Sequence, residues 1–308
     1  MPQITPRRTF ILLVCLTTAL AGVWLRFRAQ ADDEQTGPWS QSRVITPAGQ
    51  LILDAANGLP AVAPLTMNFV RTPDTTGPNG KGRYLIAVNS GWGEQVNSRG
   101  RQNQSLSVID LNAVPDPKVV QTVYYPAPQS ANFGLAFDTA KQPDGRYRLF
   151  VSGGFENRVW ILLYDPAAAA PIIPKNEPDK PIDTAFIDVS AMTGNAPSPN
   201  YNGDRAAVYP TGIALSPDGQ SLITANNLGD SLGVVSDIRD TRRIDRVSLV
   251  RPRSEQFVYP YDVKLLTRGS AVSKIYVSLW GDGSVAIVDP TLKAPVAFIK
   301  VDRHPTLL

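Results

Sequence analysis

Short apolar runs rich in β-branched and aromatic residues recur along the chain, and each ends in small or turn-forming residues. A second apolar run follows each of them and closes on an aspartate. Runs of this length between turn residues predict β-strands. The first set of runs occupies residues 84–90, 148–154, 221–227 and 274–280, and the second set occupies 105–110, 158–165, 231–237 and 284–289.

These paired runs belong to a larger unit that repeats along the chain. One more apolar run precedes each pair, at residues 68–70, 133–137, 212–215 and 262–266, and another follows, at 119–125, 185–189, 244–250 and 295–301. Pro and Gly in the turns at 142–145 and 216–219 supply the fixed and the permissive φ that a tight turn needs. Four short antiparallel strands per repeat are typical of a β-propeller blade. The sequence therefore predicts an all-β fold, a β-propeller with four four-stranded blades. A β-sandwich is the alternative, but it needs no internal similarity.

The first 31 residues have a different pattern. Arg7 and Arg8 precede an apolar run over residues 10–25, and Ala29-Gln30-Ala31 fits a signal-peptidase site. The rival interpretation is an uncleaved anchor, although the run is short for a membrane span. We expect a signal helix or anchor over residues 1–31, an N-terminal extension with a possible propeller-closing strand over 32–66, and blades over 67–308. This organisation predicts a periplasmic or secreted bacterial protein, or one that its leader anchors to the inner membrane.

Composition narrows the chemistry. The chain has one Cys and one His, which excludes a disulfide framework and a Cys/His zinc site. The net charge is +3, but without the leader's four arginines 26 basic residues face 27 acidic ones, for a net charge of −1. No basic patch for nucleic acid is therefore expected. The sequence has no nucleophile elbow, phosphate-binding glycine loop or metal-spaced histidines, so we expect no catalytic residue, metal or cofactor.

Residues 222–235 and 275–289 resemble the YVTN family of β-propeller repeats, as in YncE-like proteins, and residues 209–219 resemble the family's blade start. The N-terminal half looks similar to bacterial proteins that fuse this propeller to an alkaline-phosphatase-type phosphoesterase; the matching stretches are 45–50, 105–111, 134–137 and 148–154. The resemblance implies a seven-bladed propeller. Residues 304–308 match 209–213 and would open a fifth blade. We therefore expect an N-terminal part of a longer protein, with further blades or a phosphoesterase domain as partners.

The face of a propeller that carries the loops between second and third strands, together with the links between blades, usually presents the ligand groups; this is an analogy with the fold. The links add Asn132, Tyr209, Tyr259, Tyr261 and His304, of which His304 aligns with the two blade-start tyrosines and is expected to pack. The loops supply the candidate ligand-binding residues Asn89, Trp92, Glu94, Arg99, Arg101, Phe155, Glu156, Arg158, Asp230, Trp280 and Asp282.

Each group of candidates also has a plain structural interpretation. The first loop, over residues 89–104, would be a solvated insertion rather than a recognition loop. Phe155 and Trp280 would pack between blades rather than stack on a sugar or a peptide. The rim acids would be turn and capping residues rather than oxygen ligands of a cation.

Three functions follow from these observations. The first is a non-catalytic extracytoplasmic binding or scaffolding domain, with an unknown small molecule, glycan or protein at the rim and no nucleic acid. The second is a hydrolase similar to lactonase propellers, which would need a base and cationic groups on the rim. The third is a surface-exposed adhesive or structural protein that uses unpaired strand edges for assembly.

Overall fold

The computed structural model describes residues 66–90, 104–113, 117–126, 128–177, 180–190, 208–254 and 256–308. The predicted leader over 1–31 and all but the last residue of the predicted extension over 32–66 lie outside the described residues. Within the described part of the chain, no helix is long and apolar enough to span a membrane.

The described residues form four consecutive antiparallel sheets, which confirms the predicted blades. Each sheet is built in chain order, so strands pair with their neighbours in sequence, except that β9 of the second blade pairs with β7. The first blade contains β1 (Thr66–Arg71), β2 (Tyr84–Asn89), β3 (Gln104–Asp110) and β4 (Lys118–Tyr125), with a 3-10 turn at Pro78–Gly80. The second contains β5 (Leu135–Phe137), β6 (Tyr147–Ser152), a 3-10 turn at Gly154–Glu156, β7 (Arg158–Tyr164), β8 (Ile172–Ile173) and β9 (Phe186–Asp188).

The third and fourth blades are more regular. The third contains β10 (Pro210–Leu215), β11 (Leu222–Asn226), β12 (Ser231–Ser236) and β13 (Arg243–Ser248). The fourth contains β14 (Pro260–Arg268), β15 (Ala271–Leu279), β16 (Ser284–Asp289) and β17 (Ala294–Lys300).

The outer strand of the second blade differs from the prediction. The sequence indicates one strand over residues 185–189, whereas two short segments, β8 and β9, pair with different parts of β7. The stretch between them contains Pro174 and Pro181, and a proline has no backbone N–H to donate to a sheet. The outer strand is therefore interrupted.

The core lies between successive blades. Middle strands are buried on both faces, as in β11, where all five residues are buried, because a neighbouring blade covers each side. Alternate residues of such strands face opposite neighbours: Ile223 packs toward the fourth blade, and Leu222 packs toward the second. The aspartates that end third strands form turns as predicted; the Oδ1 atoms of Asp110, Asp165 and Asp289 accept hydrogen bonds from backbone N–H groups two residues later.

Aspartates in the turns between first and second strands also join the blades. Asp74 of the first blade accepts hydrogen bonds from Thr72 and from Tyr164 of the second blade. Burial alone would raise the pKa of Asp74, but the hydrogen bonds from Thr72, Thr76 and Tyr164 outweigh burial and hold this pKa far below its usual value. Asp138 of the second blade accepts from Arg239 of the third at 3.0 Å.

Candidate functional site

A side chain at the first residue of the third strand, or directly before it, connects each of the first three blades to the next one. We call these three side chains, Gln104, Asn157 and Asp230, the junction acceptors. Gln104 Oε1 accepts a hydrogen bond from the Ala131 N–H at 2.8 Å. Asn157 Oδ1 accepts from the N–H groups of Val208 and Tyr209 at 2.9 and 3.0 Å.

Asp230 Oδ1 repeats this contact one blade later, with the N–H groups of Val258 and Tyr259 at 2.9 and 3.0 Å. The link residues Tyr209, Tyr259 and His304 all have a left-handed φ, between 46° and 54°. This shared conformation agrees with their predicted alignment and brings the three rings to the same face, which we call the upper face.

The upper face contains a cavity of about 400 Å3 where the four blades converge. It lies at the ends of second strands, beside the links. The residues that line it come from all four blades and their links, and they are Met67, Ser90, Gln104, Asn132, Tyr209, Thr211, Asn227, Tyr259, Tyr261 and Trp280.

The second-strand ends occupy one column of the repeat. Ser90, Gly154, Asn227 and Trp280 are the last residues of the four aligned runs. Three of them line the cavity. The fourth, Gly154, leaves space for the side chain of Asn132, because a Cβ atom at Gly154 would lie only 3.1 Å from Asn132 Nδ2. Three blades therefore line the cavity from the same position, and in the second blade the glycine at that position makes room for Asn132.

The described lining residues are uncharged, and most of them are polar. They present amides, hydroxyls, a thioether and aromatic rings. Burial raises the pKa of Tyr209, and burial, followed by the nearby Tyr209 and Asp262, raises the pKa of Tyr261. Both hydroxyls therefore stay protonated at neutral pH and remain hydrogen-bond donors.

Aromatic rings form one wall of the cavity. The rings of Tyr259 and Trp280 meet nearly at right angles, at 76° with centroids 6.0 Å apart. His304 stacks on Trp280 with centroids 4.1 Å apart, and its Nδ1 lies 3.1 Å from the Trp280 carbonyl oxygen. These contacts fix the indole, which is still 38% exposed.

Several lining side chains already have partners. Gln104 Nε2 donates to the Ser90 carbonyl, and Thr211 Oγ1 and Asn227 Nδ2 donate to the Pro260 carbonyl. Two buried polar atoms of the lining residues, Ser90 Oγ and Asn132 Nδ2, have no hydrogen-bond partner in the described part of the chain. A buried polar group without a hydrogen-bond partner lowers the stability of the folded state by about 1–3 kcal/mol, so each such group needs a physical explanation.

Of the predicted rim residues, Trp280 lines the cavity. Trp92, Glu94, Arg99 and Arg101 lie outside the described residues. Asn89 is fully buried behind the cavity, where Nδ2 donates to the hydroxyls of Ser105 and Ser107.

The described rim acids are engaged elsewhere. Glu156 lies 3.3 Å from Arg158 and accepts from the Ser130 N–H, and burial raises the pKa of Glu156 despite both contacts. Asp282 pairs with Arg251 at 2.8 Å; burial opposes ionisation, but Arg251 and Ser284 lower the pKa of Asp282 overall. Asp230 is a junction acceptor. No group of three or more metal-ligating side chains occurs among the described residues.

Phe155 projects from the 3-10 turn of the second blade and is 75% exposed. Arg158, which pairs with Glu156, also places its guanidinium 4.1 Å from the centroid of the Phe186 ring. Neither residue lines the cavity.

Sequence reasoning assigned the lining tyrosines and Asn132 to the links between blades, and these residues line the cavity in the structure. It missed Met67, Ser90, Gln104, Thr211 and Asn227. The signal for Ser90 and Asn227 was present, because both share a repeat column with Trp280. Gln104 and Asn157 offered no such signal, since the junction acceptors are three different residue types.

Four antiparallel blades in succession, three with four strands and one with an interrupted outer strand, and a cavity where they converge define a β-propeller. No protein-family model matches the sequence, and no curated protein matches it.

Solved structures similar to this chain include a putative 6-phosphogluconolactonase from Bacteroides uniformis, with 13% identity and a TM-score of 0.48 over 79% of this chain and 59% of that chain. The periplasmic gluconolactonase of Pseudomonas aeruginosa has 18% identity and a TM-score of 0.46 over 80% of this chain and 72% of that chain. The Swd1 β-propeller domain of Myceliophteria thermophila has 10% identity and a TM-score of 0.43 over 78% of this chain and 56% of that chain. The chain thus spans 59% of the length of the first of these structures.

Proposed function

We propose that this protein is a non-catalytic, extracytoplasmic propeller of the YVTN/YncE-like type that binds a small molecule in the upper-face cavity. The observation that carries the proposal is the composition of the cavity wall, where neutral hydrogen-bonding groups and aromatic rings converge from all four blades. Most small-molecule sites have this composition, with apolar walls and a few well-placed polar groups. The extracytoplasmic location rests on the leader pattern alone.

The same wall favours binding over hydrolysis. A lactonase-like reaction needs a group that activates water, which is a base or a metal-bound hydroxide. The described lining residues offer amides, hydroxyls and the protonated phenols of Tyr209 and Tyr261 instead. Asp230 and Asp282, the described rim aspartates, hold backbone N–H groups and an arginine, so their carboxylates serve the fold.

A thermal-shift screen of the full chain tests the proposal. The library should contain neutral, anionic, cationic and aromatic metabolites in separate sets. We expect at least one set to raise the Tm of the wild-type protein. The increase should vanish in Trp280→Ala, which removes an aromatic wall, and persist in Phe155→Ala, which truncates an exposed ring outside the cavity.

Hydrolysis assays complete the test. δ-Gluconolactone and p-nitrophenyl acetate should show no turnover above buffer. Turnover that Trp280→Ala abolishes would overturn the non-catalytic assignment. A screen in which no set of compounds stabilises the protein would overturn the assignment of the cavity as a binding site.

A further inference from the structure

We infer that the cavity selects a neutral, polyhydroxylated ring, a carbohydrate of one or two sugar units, over charged molecules. This inference rests on the proposed function and names the class of ligand for that same cavity. Four observations support it: the charge of the wall, the unpaired polar atoms, the aromatic corner and the volume.

The described residues that line the cavity provide no counter-ion. A charged ligand that enters it loses hydration and gains no ionic partner from the lining, which is strongly unfavourable. Two described carboxylates next to lining residues are already paired. Asp262, adjacent to Tyr261, lies 2.9 Å from Lys264, and Asp282, close to Trp280 in sequence, lies 2.8 Å from Arg251.

The unpaired atoms suit hydroxyl groups. Asn132 Nδ2 is a donor, whereas Ser90 Oγ can donate or accept. A sugar hydroxyl can do both, so adjacent hydroxyls of one ring could satisfy both atoms. The engaged amides of Gln104 and Asn227 hold the surrounding wall in place. A water molecule could occupy the same position in the free protein, and a sugar hydroxyl would replace it with the same hydrogen bonds.

The aromatic corner suits the C–H face of a sugar ring. The rings of Tyr259 and Trp280 meet at 76°, and the ring of His304 covers one face of the indole. The ring of Phe257 stacks on Tyr259 with centroids 5.4 Å apart, so one face of that ring is covered as well. The aromatic surface that is left is apolar and uncharged. A pyranose presents C–H groups on its faces and hydroxyls around its edge, which matches a wall that combines aromatic rings with amides.

The volume sets an upper limit on size. At about 400 Å3 the cavity lies near the lower end of the range for small-molecule sites, which is roughly 300–1,000 Å3. One or two sugar rings fit this space better than a long oligosaccharide, whose further units would extend beyond the rim.

The test is calorimetric titration of the full chain with matched sugars. The probes are glucose, galactose and mannose, each paired with its uronic acid and its 2-amino-2-deoxy form, together with maltose and cellobiose. We expect at least one neutral sugar to bind, and its charged counterparts to bind at least about tenfold more weakly.

Two variants locate the contacts. Asn132→Leu keeps the size of the side chain and removes the unpaired donor. It should keep or raise the Tm and weaken sugar binding by about tenfold. Phe155→Ala is the matched control, and it should change neither quantity.

Two results in these titrations would overturn the inference. The first is a uronic acid or amino sugar that binds more tightly than its neutral parent. The second is unchanged sugar affinity in a folded Asn132→Leu protein. If a non-sugar compound stabilises the protein in a Trp280-dependent way while all neutral sugars fail, this inference is wrong and the proposed function stands. If no compound of any class binds, both are wrong.

Discussion

The Oδ1 atom of Asp230 accepts a hydrogen bond from the backbone N–H of Tyr259 at 3.0 Å, and thereby joins the third blade to the aromatic wall of the cavity in the fourth. The same oxygen accepts from the Val258 N–H at 2.9 Å. The carboxylate is almost completely buried. A side chain that looked like a ligand group from its place on the rim is therefore a structural connection between blades.

Replacing this acceptor should destabilise the protein. Asp230→Ala leaves two backbone N–H groups without their acceptor and places alanine at a left-handed φ of 44°. We expect the free energy of unfolding to fall by about 2–4 kcal/mol, as measured by urea denaturation.

The matched control is Asp230→Asn. Asparagine tolerates the left-handed conformation, and Asn157 makes the same pair of contacts one blade earlier. This variant should lose less than half as much stability as the alanine variant. Equal losses would contradict a role as a hydrogen-bond acceptor.

Gly154 should affect both stability and the cavity. Gly154→Ala adds a Cβ atom at a φ of 52°, 3.1 Å from Asn132 Nδ2, so it strains the backbone and displaces a lining side chain. We expect a loss of about 1–2 kcal/mol in the free energy of unfolding, together with weaker ligand binding.

Gly145→Ala separates the two effects. Gly145 has a φ of 84°, and no atom lies within 4 Å of the position of its Cβ. In this variant the free energy of unfolding should fall by a similar amount because of backbone strain, while the ligand affinity should stay at the wild-type value. Loss of affinity in both variants would show that Asn132 is not the link between Gly154 and the cavity.

Removing either of the two arginines that contact Asp138 should lower the stability of the protein, but by unequal amounts. Its buried carboxylate contacts Arg148 at 2.6 Å within the second blade and Arg239 of the third blade at 3.0 Å. The Arg148 side chain is far less exposed than that of Arg239. Arg148→Ala should therefore cost about 3 kcal/mol in thermal or urea unfolding, and Arg239→Ala about 0–1 kcal/mol. The reverse order would mean that the contact between blades dominates.

Protonation of Asp74 at acidic pH should weaken the contact between the first two blades. The folded-state pKa of Asp74 lies below its usual value of 3.8, so the unfolded chain takes up the proton first. The stabilisation from this group is present above about pH 4 and is lost as the pH falls toward the folded-state pKa.

Urea unfolding at several pH values between 2 and 6 measures this effect. The free energy of unfolding of the wild-type protein should fall more steeply below about pH 4 than that of Asp74→Asn, because the variant lacks the titrating carboxylate. Parallel curves for the two proteins would contradict the role assigned to Asp74.

The strands can be predicted well from the sequence because short local patterns determine the blade repeat. Alternating apolar runs, a Pro-Asp-Gly turn at 217–219 and the aspartates that end third strands all act within a few residues. The interrupted outer strand of the second blade is harder to predict, since its two segments contact β7 after long intervening stretches.

The site is less predictable for a different reason. Its wall joins residues that lie far apart in sequence, such as Met67 and Trp280, and only the packing of blades brings them together. Charged rim residues attract attention in a sequence, yet Asp230 and Asp282 are bound by backbone and arginine partners. The uncharged column of Ser90, Asn227 and Trp280 is conspicuous only when the repeats are aligned and the ends of the strands are compared.

That column has a consequence for how such a protein can diversify. Three blades reach the cavity from the same position at the end of a second strand, and in the second blade Gly154 leaves space there for Asn132. A substitution at this position therefore alters one sector of the wall while the hydrogen-bonded ladder of the strand remains intact. Serine, glycine, asparagine and tryptophan already occupy this position in one chain. New ligand preferences can thus be explored by point substitutions at a few equivalent sites, without insertions and without redesign of the sheets.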